Sequence, residues 1–322
     1  MSTSICRMNG KIMLEMLRGK RLVFVGDSLN RNMWESLVCI LLNSVEDKSK
    51  VFEASGREEF RSESSYSFIF EDYNSSVEFF QSPFLVQEWE MEGKNGSKKE
   101  TLRLDMRSSD KYRTADVLIF NTGHWWTHEK TLDGRGYYQE GSHVYSQLNV
   151  DKAFRKALRT WARWVETKTG SAQDPCFLQG IFCFSFQFCS IHRGGEWDSG
   201  GKCESETRPP MEETYFEEDP SMVKILESTL QRMKTPVFYL NITRMTNFRR
   251  EGAAAAATGT QFNEATLIGA RPIPLAIRGH DFMNASTMFS AVAFLLLLSK
   301  WLRIPILTYG PPACLEQPYR QV

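Results

Sequence analysis

Apolar residues fall along this chain in two distinct periods. Residues 22–25, 117–120 and 237–240 are short continuous runs rich in Val, Ile, Leu and Phe, each bounded by polar or turn-forming residues. Such runs read as buried strands. Between them the period lengthens. Leu29, Met33, Leu37 and Leu41 form one stripe with Val38 beside it, which predicts a helix of about three to four turns after Ser28. Phe154, Leu158, Trp161 and Val165 predict a helix over 150–165, residues 221–233 a further one, and residues 11–17 a short one. Alternation of polar and apolar residues in 67–70 and 76–80, on either side of Asp72-Tyr73-Asn74, predicts a hairpin. Residues 84–89 and 101–105 read as additional strands, 110–115 as a helical or loop segment, and 181–186 as the strand core of an apolar, cysteine-rich stretch. The repeated order of strand, helix and strand predicts an α/β fold, a three-layer sandwich around a mainly parallel sheet.

Composition narrows the functional classes. The 322 residues are 42% hydrophobic, enough for a sizeable core. Lys plus Arg and Asp plus Glu are both 39, so no basic excess points to nucleic acid. Seven cysteines leave at least one thiol unpaired in an oxidising compartment, and with no Cys-x-x-Cys pair the sequence predicts no zinc site. His124 and His128 are four apart, but His-Glu-x-x-His is absent, so no metal is expected there either. Sequons at Asn74, Asn95, Asn241 and Asn284 permit a secretory location. The N-terminus lacks the apolar segment of a signal peptide, and the apolar run at 288–298, short for a membrane span, reads as a core or packing helix, with a membrane-associated tail as the alternative. The glycine-rich stretch 194–203 lacks a strand before it and a helix after it, which excludes a phosphate-binding loop. Beyond Gly252 the pattern changes to a five-alanine tract at 253–257 and a Pro/Gly-punctuated tail.

The chemistry gathers where strands end. Gly26-Asp27-Ser28 joins the first buried strand to the first long helix. Gly26 permits a sharp turn and Asp27 or Ser28 can cap the helix. A hydroxyl at that junction lies beside unpaired helix N–H groups, so Ser28 is a candidate nucleophile with oxyanion donors close by. The bland reading is a simple helix cap. The second buried strand ends in Asn121-Thr122-Gly123-His124-Trp125-Trp126. In open parallel sheets, this C-terminal strand edge is where ligands bind.

The longer block Gly26-Asp27-Ser28-Leu29-Asn30-Arg31-Asn32 resembles the first block of the Gly-Asp-Ser-Leu (SGNH-type) esterases. Together with Leu104-Asp105-Met106-Arg107, the Asp116–Trp126 run, Ala157–Trp164, Gly194–Cys203 and Asn241–Thr246, it resembles the plant trichome birefringence-like proteins, the PC-esterase family of polysaccharide O-acetyltransferases. The resemblance covers a domain over 11–252, incomplete at both ends, and leaves 253–322 as a divergent tail. It implies a Golgi membrane enzyme that moves acetyl groups onto cell-wall polysaccharide, xylan or pectin. Ser28 would be acylated, and Asn121 would donate to the oxyanion. Gly26, Asp27, Arg31 and Asn32 would shape the oxyanion site or hold its loops. No bound cofactor is implied; an acetyl donor is the co-substrate. The family's membrane anchor is not found in this sequence. The family's general base sits in an Asp-x-x-His block near the C-terminus, and no such block occurs in 247–322. His280-Asp281 is the one His next to an acid in that tail. Weak or absent turnover is therefore expected. The alternative is a non-catalytic polysaccharide-binding protein of the same fold, with Trp125, Trp126 and Trp197 as surfaces for sugar rings.

Overall fold

A computed structural model describes residues 9–55, 65–92, 98–123, 125–128, 130–168, 176–181 and 221–241. The first buried run forms β1 (Arg21–Gly26) and the second β7 (Val117–Gly123). Around them lie β2 (Val51–Glu53), β3 (Ser65–Phe70), β4 (Ser75–Gln81), β10 (Cys176–Ile181) and β11 (Val237–Asn241), in the order β11-β10-β7-β1-β4-β3-β2. The five strands from β11 to β4 pair in parallel, and β3 and β2 add antiparallel. The sheet is thus mainly parallel, as the strand–helix alternation predicts.

Helices cover both faces. α1 (Gly10–Met16) and α2 (Ser28–Leu42) lie on one side, where Met13, Leu14, Met33, Leu37 and Leu41 pack with Leu22, Phe24, Val117 and Ile119. α3 (Val150–Lys168) and α4 (Ser221–Leu230) lie on the other, where Phe154, Leu158, Trp161 and Leu226 meet Val23, Val25, Leu118 and Phe120. Successive side chains of a strand point to opposite faces, so the runs in β1 and β7 are apolar throughout because each feeds two cores. Each fully buried side chain of this size stabilises the fold by roughly 1.5–3 kcal/mol. Trp34 adds a polar tie, its Nε1–H donating to Val77 O at 3.1 Å while its ring stacks on Tyr66.

Several elements differ from the sequence reading. In α2 Met33, Leu37, Val38 and Leu41 are buried as the expected stripe requires; Asn30, Trp34 and Leu42 join them, and Leu29 is half-buried instead of buried. The strand expected at 181–186 lies earlier, at Cys176–Ile181, and residues 182–186 are outside the described set. β11 is the edge of the described sheet rather than a buried strand, with Phe238 40% exposed. A second sheet, β5 (Val86–Glu92), β6 (Lys98–Arg107), β8 (Tyr138–Glu140) and β9 (His143–Val144), packs beside α3 in the order β5-β6-β8-β9. Only β5 and β6 are legible as strands from alternation. The hairpin β3–β4 turns at Asn74, which takes the left-handed conformation at φ 46°. Asn is one of the few non-glycine residues suited to that region.

Candidate active site

From β1 the chain passes to β4 on one side of it and then to β7 on the other. The C-terminal ends of β1, β4 and β7 therefore surround a switch point, the place where open α/β sheets hold ligands. All three ends are joined. Ser82 N–H, just past β4, donates to Gly26 O at 2.7 Å. The Asn121 side chain, at the end of β7, reaches the turn after β1 and makes two bonds to one residue. Its Oδ1 accepts from Asp27 N–H at 2.9 Å, and its Nδ2 donates to Asp27 Oδ1 at 2.8 Å.

This contact explains Gly26. A Cβ there would lie 1.7 Å from Asn121 Oδ1. Glycine lets the Asn121 amide press against the backbone. Asp27 is the N-cap of α2 in extended conformation, its Oδ1 also accepting from Leu29 N–H at 2.9 Å. Between the clamp and the cap, Asp27 is 1% exposed and Asn121 0%. Ser28 follows as the first helical residue, and it is exposed. Its backbone N–H has no acceptor among the described residues, as expected for a first-turn amide. The dipole of the 15-residue α2 favours negative charge at this end. An accessible hydroxyl, an unengaged N–H and the positive end of a helix thus meet on a rigid turn. That arrangement can stabilise an oxyanion formed by attack of Ser28 Oγ on a carbonyl.

The remaining sequence candidates are placed as follows. Both polar atoms of Asn121 face Asp27, and its side chain is enclosed, so it holds the turn before Ser28 from behind. Arg31 donates its backbone N–H to Asp27 O, closing the first turn of α2, and its Nε lies 3.4 Å from Glu35 Oε1. Asn32 O accepts from Ser36 Oγ at 2.8 Å. His280, Asp281, Trp197 and His124 lie outside the described residues. Trp126 is 2% exposed, with its Nε1–H on Thr122 Oγ1 at 3.1 Å, which removes it as a surface for sugars. Trp125 is half-buried on the loop leaving β7. Phe84 meets its ring edge-on, and Lys130 Nζ sits 4.8 Å over it.

Two residues to which the sequence reading gives no role complete the site. Asn30 is fully buried and donates Nδ2–H to Ile119 O at 3.2 Å, tying α2 to β7. Its signal was present in the sequence as a polar residue on the apolar stripe of α2. Ser82 is buried beside Gly26, and nothing in its local sequence marks it. Among the described residues, Asp27 Oδ2, Asn30 Oδ1 and Ser82 Oγ lack hydrogen-bond partners. Buried oxygens of this kind are ordinarily met by water or by further donors. Behind Trp126, burial pushes the Tyr138 phenol up to about 12, against an opposing effect from Thr131.

Comparison with known proteins agrees with this geometry. Residues 5–268 match the family described as "PC-Esterase: GDSL/SGNH-like Acyl-Esterase family found in Pmr5 and Cas1p". Protein trichome birefringence of Arabidopsis thaliana is 61% identical over 251 residues, covering 77% of this chain and 40% of that protein. Protein trichome birefringence-like 1 from the same plant is 58% identical over 250 residues, 77% of this chain and 44% of that protein. Protein trichome birefringence-like 4 is 53% identical over 253 residues, 77% of this chain and 54% of that protein. The chain thus spans between 40% and 54% of the length of these relatives.

Proposed function

Because the chain belongs to the PC-esterase family, among the trichome birefringence-like proteins, we propose that it is built as an O-acetyltransferase that works through an acetyl group on Ser28. The observation that carries this reading is the exposed Ser28 at the N-terminus of α2, on a turn locked by the Asn121–Asp27 pair. Ser28 Oγ attacks the acetyl carbonyl of a donor ester. The new C–O bond forms as the carbonyl electron pair moves onto oxygen, where Ser28 N–H and the α2 dipole meet it. Collapse expels the donor's alkoxide, which leaves with a proton. A sugar hydroxyl then attacks the acetyl-serine, takes the acetyl group and returns a proton to Ser28 Oγ.

Both halves need a base to move the proton. The family resemblance assigns that role to an Asp-x-x-His block, and 247–322 contains none. Oxyanion stabilisation and binding still act when one member of such a triad is missing, leaving about 10³–10⁴-fold over water. Slow turnover is the expected behaviour of this chain. The acceptor is a cell-wall polysaccharide, xylan or pectin, presented at the sheet edge where Trp125 offers an aromatic surface. The setting is the Golgi membrane. Among the described residues, no helix is long and apolar enough to cross a membrane.

The test is acetyl transfer to xylan and pectin oligosaccharides by the unsubstituted chain and by Ser28→Ala. Slow transfer that disappears in Ser28→Ala supports the reading, and equal rates remove Ser28 from it. The half-exposed Trp125 favours a second reading, glycan binding without chemistry. Oligosaccharide binding with no acylation of Ser28 would select that one.

A further inference from the structure

A second site lies at the opposite end of the large sheet. Asp110 begins the turn that leads into β7, and the carbonyl of the next residue, Lys111, accepts from Arg21 Nη2 at the start of β1 at 2.9 Å. The last turns of α3 reach the same end, because a helix linking two parallel strands runs back along them. Between that turn, α3 and the end of β6 is an open cavity of about 460 Å³. Sites for small ligands span roughly 300–1,000 Å³. The seven residues of β7 put this cavity about 20 Å from the edge that carries Ser28. A group bound here is therefore not the reacting one.

Four charged side chains line the cavity: Asp105, Arg107, Asp110 and Arg163. Arg103 Nε pairs with Asp105 Oδ1 at 3.2 Å, and Arg107 pairs with Asp110. Arg163 is exposed and has no partner among the described residues. One guanidinium is left to meet an anion. The same lining includes Met106, 39% exposed, and Trp164, whose indole is buried and fixed by an edge-on contact with Tyr112 at 5.2 Å. A planar cation in a cavity that also exposes the Met106 side chain suits a sugar carboxylate, the guanidinium taking the charge and the methionine lying against the ring.

We infer that this cavity is an auxiliary subsite for a uronate residue of an acidic polysaccharide, engaged through Arg163. That the ligand is a glycan rests on the acetyltransferase reading; that it is anionic rests on Arg163. A chain held here raises the local concentration of its other residues around the protein, including the Ser28 edge.

Isothermal titration of the full chain tests this, with oligogalacturonate, a neutral xylo-oligosaccharide of the same length, and inorganic phosphate as the three probes. The expected result is tighter binding of oligogalacturonate than of either other probe. Its Kd should rise about tenfold in Arg163→Ala and by less in Arg163→Lys. Arg163 is exposed and has no partner among the described residues, so both variants should keep the melting temperature of the parent chain, which is measured alongside. An unchanged Kd in Arg163→Ala overturns the inference, as does preference for the neutral sugar or for phosphate. Acylation of Ser28 by a small ester involves no glycan, so failure of the catalytic reading and failure of this subsite are read separately.

Discussion

Asn121 and Asp27, 94 positions apart, are joined by two hydrogen bonds that run in opposite directions, at 2.9 and 2.8 Å. The pair couples the end of β7 to the residue just before the exposed Ser28. Removing the amide in Asn121→Ala leaves Asp27 N–H buried without an acceptor, which costs about 1–3 kcal/mol. Asn121→Asp keeps the volume but sets a carboxylate against Asp27 Oδ1. Both variants should lose stability in denaturant titrations and acylate more slowly at Ser28, with Asn121→Asp the worse at neutral pH and improving as pH falls. Full activity in Asn121→Asp would show that the turn does not depend on this pair.

Gly26 is held to glycine by contact. With Asn121 Oδ1 1.7 Å from the position of a Cβ, Gly26→Ala forces the amide out of the clamp or displaces β1 from β7. Overpacking in a close-packed site costs about 1–3 kcal/mol. The expected outcome is a destabilised chain with greatly slowed Ser28 acylation. Gly26→Ala combined with Asn121→Ala should recover part of the stability but not the rate, because space is restored and the clamp is not. Denaturation and acylation kinetics of the single and double variants check this.

At the start of β1, Arg21 grips Glu78 on β4 through two contacts, Nε to Oε1 at 2.6 Å and Nη2 to Oε2 at 2.8 Å. Glu78 is 8% exposed and Arg21 27%. Arg21→Ala strands a nearly buried carboxylate; partial exposure of the pair brings the expected loss to about 2–3 kcal/mol, below that of a fully buried pair. Replacing both partners in Arg21→Met/Glu78→Met should restore most of it, since an apolar pair carries no desolvation penalty. Thermal melts of the three chains separate these outcomes.

Glu140 links the second sheet to α3. Burial alone would raise its carboxyl, but Lys156 Nζ at 2.6 Å and the Tyr145 hydroxyl outweigh that effect and hold it below the ordinary value of 4.5. A lowered carboxyl contributes stability that is fully present above the ordinary value and is lost as pH falls through the lowered one. With both partners about one-third exposed, the contribution is about 0.5–1 kcal/mol. Glu140→Gln should lower stability at neutral pH by that amount and flatten its decline below pH 4.5. Melting temperatures measured across that range are the check.

How far the sequence carries the architecture depends on what each residue touches. β1 and β7 are legible because strands buried on both faces must be apolar at every position. Ser28 is legible because a turn between strand and helix leaves a recognisable cap. The role of Asn121 is not, since a strand-end amide looks the same whether it faces solvent, an oxyanion or a neighbouring backbone. Ser82 is hidden for the same reason, its contact with Gly26 being long-range and made through the backbone. β8 and β9 are three and two residues long, too short for a period to show. The stripe of α2 is legible at Met33, Leu37, Val38 and Leu41 but not at its start, where polar Asn30 and aromatic Trp34 take buried positions and an aliphatic period passes instead through Leu29.

The most direct measurement is intact-protein and peptide mass spectrometry after exposure to an activated acetyl ester. The expected result is a single acetyl group on the peptide that contains Ser28, formed by the parent chain, diminished in Asn121→Ala and absent in Ser28→Ala. No adduct on the parent chain, or an adduct that persists unchanged when Ser28 is replaced, would contradict the account.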